Sequence, residues 1–105
     1  MKLLTSLEQF QSLLDVGADF LIFKHSGTCS ISGGACKEVE ITIQELHLDN
    51  IYMFDVLNTG DLKYQIADLV WVKHESPQVL IFVWWNLKDH ASHGAISREW
   101  LREAL

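Results

Sequence analysis

The sequence predicts an α/β domain: a mixed central sheet with helices on both faces, in the order α-β-α-β-α-β-β-α. Three observations carry that prediction. Apolar residues recur at helical spacing in four segments, short runs rich in Phe, Ile, Leu and Val lie between them, and Gly, Asn, Ser and Pro mark the joins. The 105 residues suit one domain, residues 1–105, and show no repeat, low-complexity tract or linker. Apolar residues at 49% and charged residues at 21% are a globular composition rather than a disordered one.

The first helix is read from Ser6 to Val16, with Leu7, Phe10, Leu13 and Leu14 on one face, Ser6 as N-cap and Gly17 as its end. Asp19 to Lys24 contains Phe20-Leu21-Ile22-Phe23, a run suited to a strand buried on both faces. His25 to Gly34 reads as a loop opening into a second helix, whose apolar stripe is Cys36, Val39, Ile43 and Leu46. Ile51 to Val56 is the next strand, and Asn58 to Asp61 turns the chain into a helix with Leu62, Ile66, Leu69 and Val70 inward. Gln78 to Trp85 is strongly β-forming. Asn86 to Asp89 is expected as a hairpin turn, His90 to Ile96 as its returning strand, and Ser97 as the cap of a closing helix. Two parallel strands joined through helices, then a hairpin and a final helix, make the thioredoxin-like layout.

Composition narrows the function classes. Eight Lys and Arg against 14 Asp and Glu give a net charge of −6, which leaves no basic face for a phosphate backbone, so no nucleic-acid partner is expected. The longest apolar run, Val79 to Trp85, is far shorter than the ~20 residues of a membrane span, so no membrane partner is expected. Glu8 arrives before a signal-peptide core can form, and a cytoplasmic location follows as the default. Two cysteines, Cys29 and Cys36, are too few for a secreted disulfide scaffold and are read first as thiols.

In this layout Cys29 falls just after a strand, at the start of the second helix. Unpaired N–H groups and about half a positive charge gather there, and both favour thiolate over thiol. Cysteines so placed have pKa values of ~3.5–7.5, and the thiolate is the attacking species in disulfide exchange. Lys24 and His25 are expected to add positive charge nearby. Cys29-Ser30-Ile31-Ser32 has the C-x-x-C spacing with a hydroxyl in place of the second sulfur. Ser32 can donate a hydrogen bond to the thiolate but cannot resolve a mixed disulfide, so the chemistry is monothiol exchange. Cys36 is the secondary thiol to be weighed. Seven residues along one helix separate it from Cys29 by roughly 10 Å, beyond the ~7 Å Cα limit of a disulfide. Gly33-Gly34 would ease unwinding by around 1 kcal/mol each, but Cys36 is read as a small core residue.

Pro77, directly before a strand, suits a cis peptide in a turn set against Cys29, where the backbone of Ser76 would meet a partner's chain; a proline that merely starts a strand is the plainer reading. The histidines His25, His74, His90 and His93 lie in different loops and strands, and His90-Ala91-Ser92-His93 lacks a zinc-site pattern, so no metal is assigned. Trp84-Trp85 is read as a half-buried strand end, and Glu38, Glu40 and Glu45 as a solvated helix face. No Ser-His-Asp set or phosphate-cradling glycine loop supports a hydrolase or nucleotide reading.

The stretches Lys24-His25-Ser26, Thr28-Cys29-Ser30-Ile31-Ser32, Val72-Lys73-His74-Glu75-Ser76-Pro77-Gln78 and His90-Ala91-Ser92-His93 with Ile96-Ser97 resemble the monothiol bacilliredoxins of the general-stress-protein group. The resemblance implies a small cytosolic thiol–disulfide oxidoreductase of the stress response. Such a protein takes bacillithiol from cysteines of oxidised proteins onto Cys29 as a mixed disulfide. It implies catalytic roles for Cys29 and Ser32 and substrate contacts at Thr28, Ser76 and Pro77. No tightly bound cofactor is expected; bacillithiol is a transient partner, and the substrates are S-thiolated cytosolic proteins. Ser30 stands where the family has proline, and Gly33-Gly34-Ala35-Cys36 is unusual beside it. Trp84-Trp85-Asn86-Leu87 replaces a polar turn, and Asn58-Thr59-Gly60 lacks the family's basic stretch, so no anion-binding role is carried over there. Two alternatives stay open: a glutaredoxin-like monothiol protein using glutathione or an iron–sulfur cluster, and a non-catalytic binding module with the same fold.

Overall fold

A five-stranded sheet in the order β1-β3-β2-β4-β5 organises the chain, and the computed structural model describes residues 2–25 and 34–105. The elements are β1 (Lys2–Leu3), α1 (Leu7–Asp15), β2 (Phe20–His25), α2 (Gly34–Leu46), β3 (Ile51–Asp55), α3 (Leu62–Val70), β4 (Gln78–Val83), β5 (Asn86–Ser92), a 3-10 turn (His93–Ala95) and α4 (Arg98–Ala104). β1 and β2 run parallel to β3, whereas β4 is antiparallel to both β2 and β5. The expected mixed sheet is therefore present, with one extra edge strand. Two residues are too few to show a period, which is why β1 carries no sequence signal.

Strand alternation sorts the central residues into two cores. Leu21 and Phe23 of β2 face α2 and α4, where Cys36, Val39, Leu101 and Ala104 close around them. Phe20 and Ile22 face α1 and α3, where Phe10, Leu62 and Ile66 form the other layer. Phe10 stands edge-on to Phe20 and Phe82, whose rings stack 4.7 Å apart. Both faces of β2 are buried throughout, so its sequence reads as a continuous apolar run.

Side-chain caps fix two helix starts. Ser6 Oγ accepts from Gln9 N at 3.2 Å, and Ser97 Oγ accepts from Trp100 N at 3.1 Å. Gly17, at φ +67°, turns the chain after α1 as expected. Glu38 and Glu45 are more than a solvated face: they pair with Arg98 and Arg102 and tie α2 to α4.

The hairpin is displaced from its expected place. Its turn is Trp84-Trp85, both at positive φ (51° and 68°), and β5 already starts at Asn86. Two left-handed residues are what a two-residue turn between right-twisted strands requires, normally met by Asn or Gly. Here tertiary contacts supply the difference. Trp85 Nε1 donates to Asp15 O at 3.3 Å, Trp84 N donates to Asp19 Oδ1 at 3.4 Å, and the Trp85 ring lies against Gly17. The tryptophans are largely exposed rather than half-buried at a strand end. His93–Ala95 leaves the sheet as a 3-10 turn instead of continuing the strand.

Candidate functional site

Register places the end of β2 beside the start of β4: Lys24 pairs with Gln78 and Phe23 with Val79. The Ser76–Pro77 bond just before β4 is cis, the geometry anticipated at that proline. His93 N donates to Pro77 O at 3.0 Å, so the 3-10 turn braces the proline turn from the far side. α2 begins its described run at Gly34. Residues 26–33 connect β2 to α2, and the predicted residues Thr28, Cys29 and Ser32 lie outside the described residues.

A buried polar network lies under the proline turn. Lys24 Nζ donates to Gln78 Oε1 at 2.9 Å, and both side chains are sealed from solvent. Gln78 Nε2 donates to Lys73 O at 3.1 Å and to Ser92 Oγ at 3.2 Å. One amide thus joins β2, the segment before the turn, and β5. Burial pulls the Lys24 ammonium down to about 8, against the opposing attraction of Glu75. Burial also lowers the His74 pKa, helped by the positive charges of Lys24 and Lys63, so the neutral imidazole is favoured. His74 stands edge-on to Tyr64, with ring centroids 5.7 Å apart.

The two cations read from sequence as neighbours of Cys29 close β2 on opposite faces of the sheet, and Cys29 lies outside the described residues. By alternation from Phe23, Lys24 points to the α1 and α3 side of the sheet, away from α2. His25 belongs to β2 rather than to a loop; it is buried and stacked on Phe23. Its Nδ1, like His74 Nδ1 and Ser76 Oγ, is buried without a hydrogen-bond partner among the described residues. Sequence reasoning missed the Lys24–Gln78 pair. A lysine closing an apolar strand, and a glutamine directly after the proline, were the available signals.

An open cleft of about 370 Å³ runs beside this network, with Lys73, Glu75, Gln78, His90 and Ser92 among its walls. Glu75 also lies 3.5 Å from His93 Nε2. Cys36 is 1% exposed within the α2–α4 core, consistent with its reading as a small core residue. It is nevertheless disulfide-bonded, and no described cysteine is a free thiol. Cys36 stands in the first described turn of α2. No group of three or more His, Cys, Asp or Glu suited to a metal occurs among the described residues. Within those residues no helix is long and apolar enough to cross a membrane.

Residues 2–101 match the family model of the monothiol bacilliredoxin BrxC. The chain belongs to that family. A solved structure described as a candidate oxidoreductase with a thioredoxin fold is 33% identical, with a TM-score of 0.87 over 98% of this chain and 91% of its own. The oxidised mitochondrial thioredoxin 3 of Saccharomyces cerevisiae superposes with a TM-score of 0.68 at 19% identity, covering 98% of this chain and 91% of that one. A cysteine-to-serine variant of an Entamoeba histolytica thioredoxin gives 0.70 at 17% identity, over 99% and 95%. The last two show the fold alone. Family and fold together assign the bacilliredoxin-family chain a thiol redox function of the thiol–disulfide oxidoreductase class.

Proposed function

We propose that this chain removes bacillithiol from mixed disulfides on oxidised cytosolic proteins, with Cys29 as the nucleophile. The observation that carries the reading is the bacilliredoxin match over residues 2–101, which includes Cys29 and the cis Ser76–Pro77 turn. Cys29 follows His25, the last residue of β2, by four residues in the sequence, and the β4 end beside it carries the cis Ser76–Pro77 turn. The Cys29 thiolate attacks the bacillithiol sulfur of the substrate disulfide, and the substrate cysteine leaves as a thiolate and takes a proton. Ser32 offers a hydroxyl to the Cys29 thiolate. Thr28 and the backbone at Ser76 and Pro77 hold the partner's chain. The polar cleft between Lys73, Gln78 and His90 is of a size to take a low-molecular-weight thiol.

Trapping tests this reading. The chain is mixed with an S-bacillithiolated protein, quenched in acid and mapped by mass spectrometry. A bacillithiol adduct on Cys29, absent from Cys29→Ala, is the expected result. Release of bacillithiol from the substrate at the same rate with Cys29→Ala would defeat it.

A further inference from the structure

We propose that Trp71 determines which low-molecular-weight thiol this chain accepts: its indole is the aromatic wall of the cleft beside the proline turn and packs on the sugar ring of bacillithiol. The inference rests on the transfer reading above and deepens it by naming the part of the thiol that is recognised.

Two properties of Trp71 have no account within the fold. It caps the end of α3 in the left-handed conformation (φ 61°, ψ 34°), its N–H bonded to Ala67 O at 2.9 Å. Glycine is the residue such a helix end favours, because a Cβ there crowds the backbone. The tryptophan takes nothing from the core in exchange: it is 93% exposed, the most of any large apolar residue among the described residues. A strained backbone carrying a bulky, uncovered ring points to a contact made with something outside the fold.

The surroundings of Trp71 say what that is. Two clefts share it as a wall, one of about 650 Å³ and the smaller one of about 370 Å³ that runs towards the proline turn. The smaller cleft adds Lys73, Glu75, Gln78, His90 and Ser92: an ammonium, a carboxylate, an amide, an imidazole and a hydroxyl. Ser92 Oγ accepts from Gln78 Nε2 at 3.2 Å, which leaves its O–H to donate to a ligand. A pyranose presents hydroxyls at its rim and a patch of C–H groups on its face, and an exposed indole beside hydrogen-bonding side chains complements both. Bacillithiol is a ligand of that kind, a glucosamine that carries cysteine on its nitrogen and malate on its anomeric oxygen. Lys73 matches the malate carboxylates and Glu75 the cysteine amine. Glutathione, a linear peptide, has no such face to lay on the ring, so the same wall separates the two thiols.

The test titrates the full chain with S-methyl bacillithiol, which cannot exchange with a thiol, and with S-methylglutathione, following the Trp71 indole N–H by NMR. The indole signal is expected to shift with the bacillithiol derivative and not with the glutathione one. Trp71→Gly is expected to bind the bacillithiol derivative about tenfold more weakly. Because glycine relieves the left-handed backbone, the urea midpoint of Trp71→Gly is expected at or above that of wild type, which separates lost recognition from lost folding. Trp71→Tyr keeps an aromatic face and should recover part of the affinity. In turnover, Trp71→Gly is expected to raise KM for an S-bacillithiolated protein by a similar factor with kcat nearly unchanged, and to leave the S-glutathionylated form of the same protein unaffected. No binding of S-methyl bacillithiol, or equal affinity in wild type and Trp71→Gly, overturns the proposal. A KM rise shared by both forms also overturns it, since Trp71 would then meet the protein and not the sugar. Binding at Trp71 without release of bacillithiol from the protein substrate leaves the site standing and ends the transfer reading.

Discussion

Lys24 Nζ donates a 2.9 Å hydrogen bond to Gln78 Oε1, and neither side chain reaches solvent. A buried ammonium is thus held by a neutral amide directly after the cis Ser76–Pro77 bond. Charge and acceptor are matched here, and removing one partner strands the other.

The asymmetry of that pair is measurable. Gln78→Leu removes the acceptor from a buried charge and is expected to cost about 2 kcal/mol or more in urea unfolding, since unsatisfied charged groups exceed the ordinary ~1–3 kcal/mol range. Lys24→Met keeps the packing and loses the charge, so its cost is expected to be smaller. The double variant should recover part of the Gln78→Leu loss. Strict additivity of the two single effects would show that the pair is not coupled.

Stability should depend on pH through the same lysine. The folded Lys24 pKa is about 8, against an ordinary value of 10.5. Between those values the unfolded chain binds more protons, so stability is expected to rise as pH increases from about 8 towards 10.5 and to be flat in this respect below. Lys24→Met should abolish the rise. His74, also lowered by burial, acts in the acid range: stability is expected to fall as pH drops through the ordinary histidine value of 6.5, and His74→Phe should flatten that fall. Urea midpoints across the two ranges measure both.

The Trp85 turn predicts a steric coupling. A Cβ on Gly17 would lie 2.8 Å from Trp85 Cζ2, and φ at Gly17 is +67°. Gly17→Ala is therefore expected to destabilise by about 1–3 kcal/mol from the left-handed backbone together with the clash. In a Trp85→Ala background the clash is gone and only the backbone part remains. Equal costs in both backgrounds, read from thermal or urea unfolding, would mean that the tryptophan exerts no pressure on Gly17.

Ser97 offers a simpler check of the closing helix. Its Oγ satisfies Trp100 N, so Ser97→Ala is expected to cost about 1 kcal/mol. Ser97→Asp should hold stability near wild type. A loss equal to that of alanine would show that the cap contributes nothing beyond its geometry.

Much of the fold was legible because its signals are local. Ser6 and Ser97 precede apolar helical spacing, and Phe20 to Phe23 is apolar throughout because both faces of β2 are covered. The misplaced hairpin shows where local rules stop. Asn86 has turn chemistry, but Asp15, Asp19 and Gly17, distant in sequence, stabilise two tryptophans in the left-handed region instead. The site divides in the same way. Pro77 announced its turn, while the Lys24–Gln78 pair arises from an antiparallel register that a β-period alone leaves open. Likewise Cys36 has the size and spacing of a core residue, and it is one.

The most direct test of the account is a rate comparison. Release of bacillithiol from an S-bacillithiolated protein is followed with wild type and Cys29→Ala, beside the same substrate carrying glutathione. The account predicts fast release from the bacillithiol form by wild type, release at the uncatalysed rate with Cys29→Ala, and slower handling of the glutathione form. Equal rates for wild type and Cys29→Ala, or a clear preference for glutathione, would contradict it.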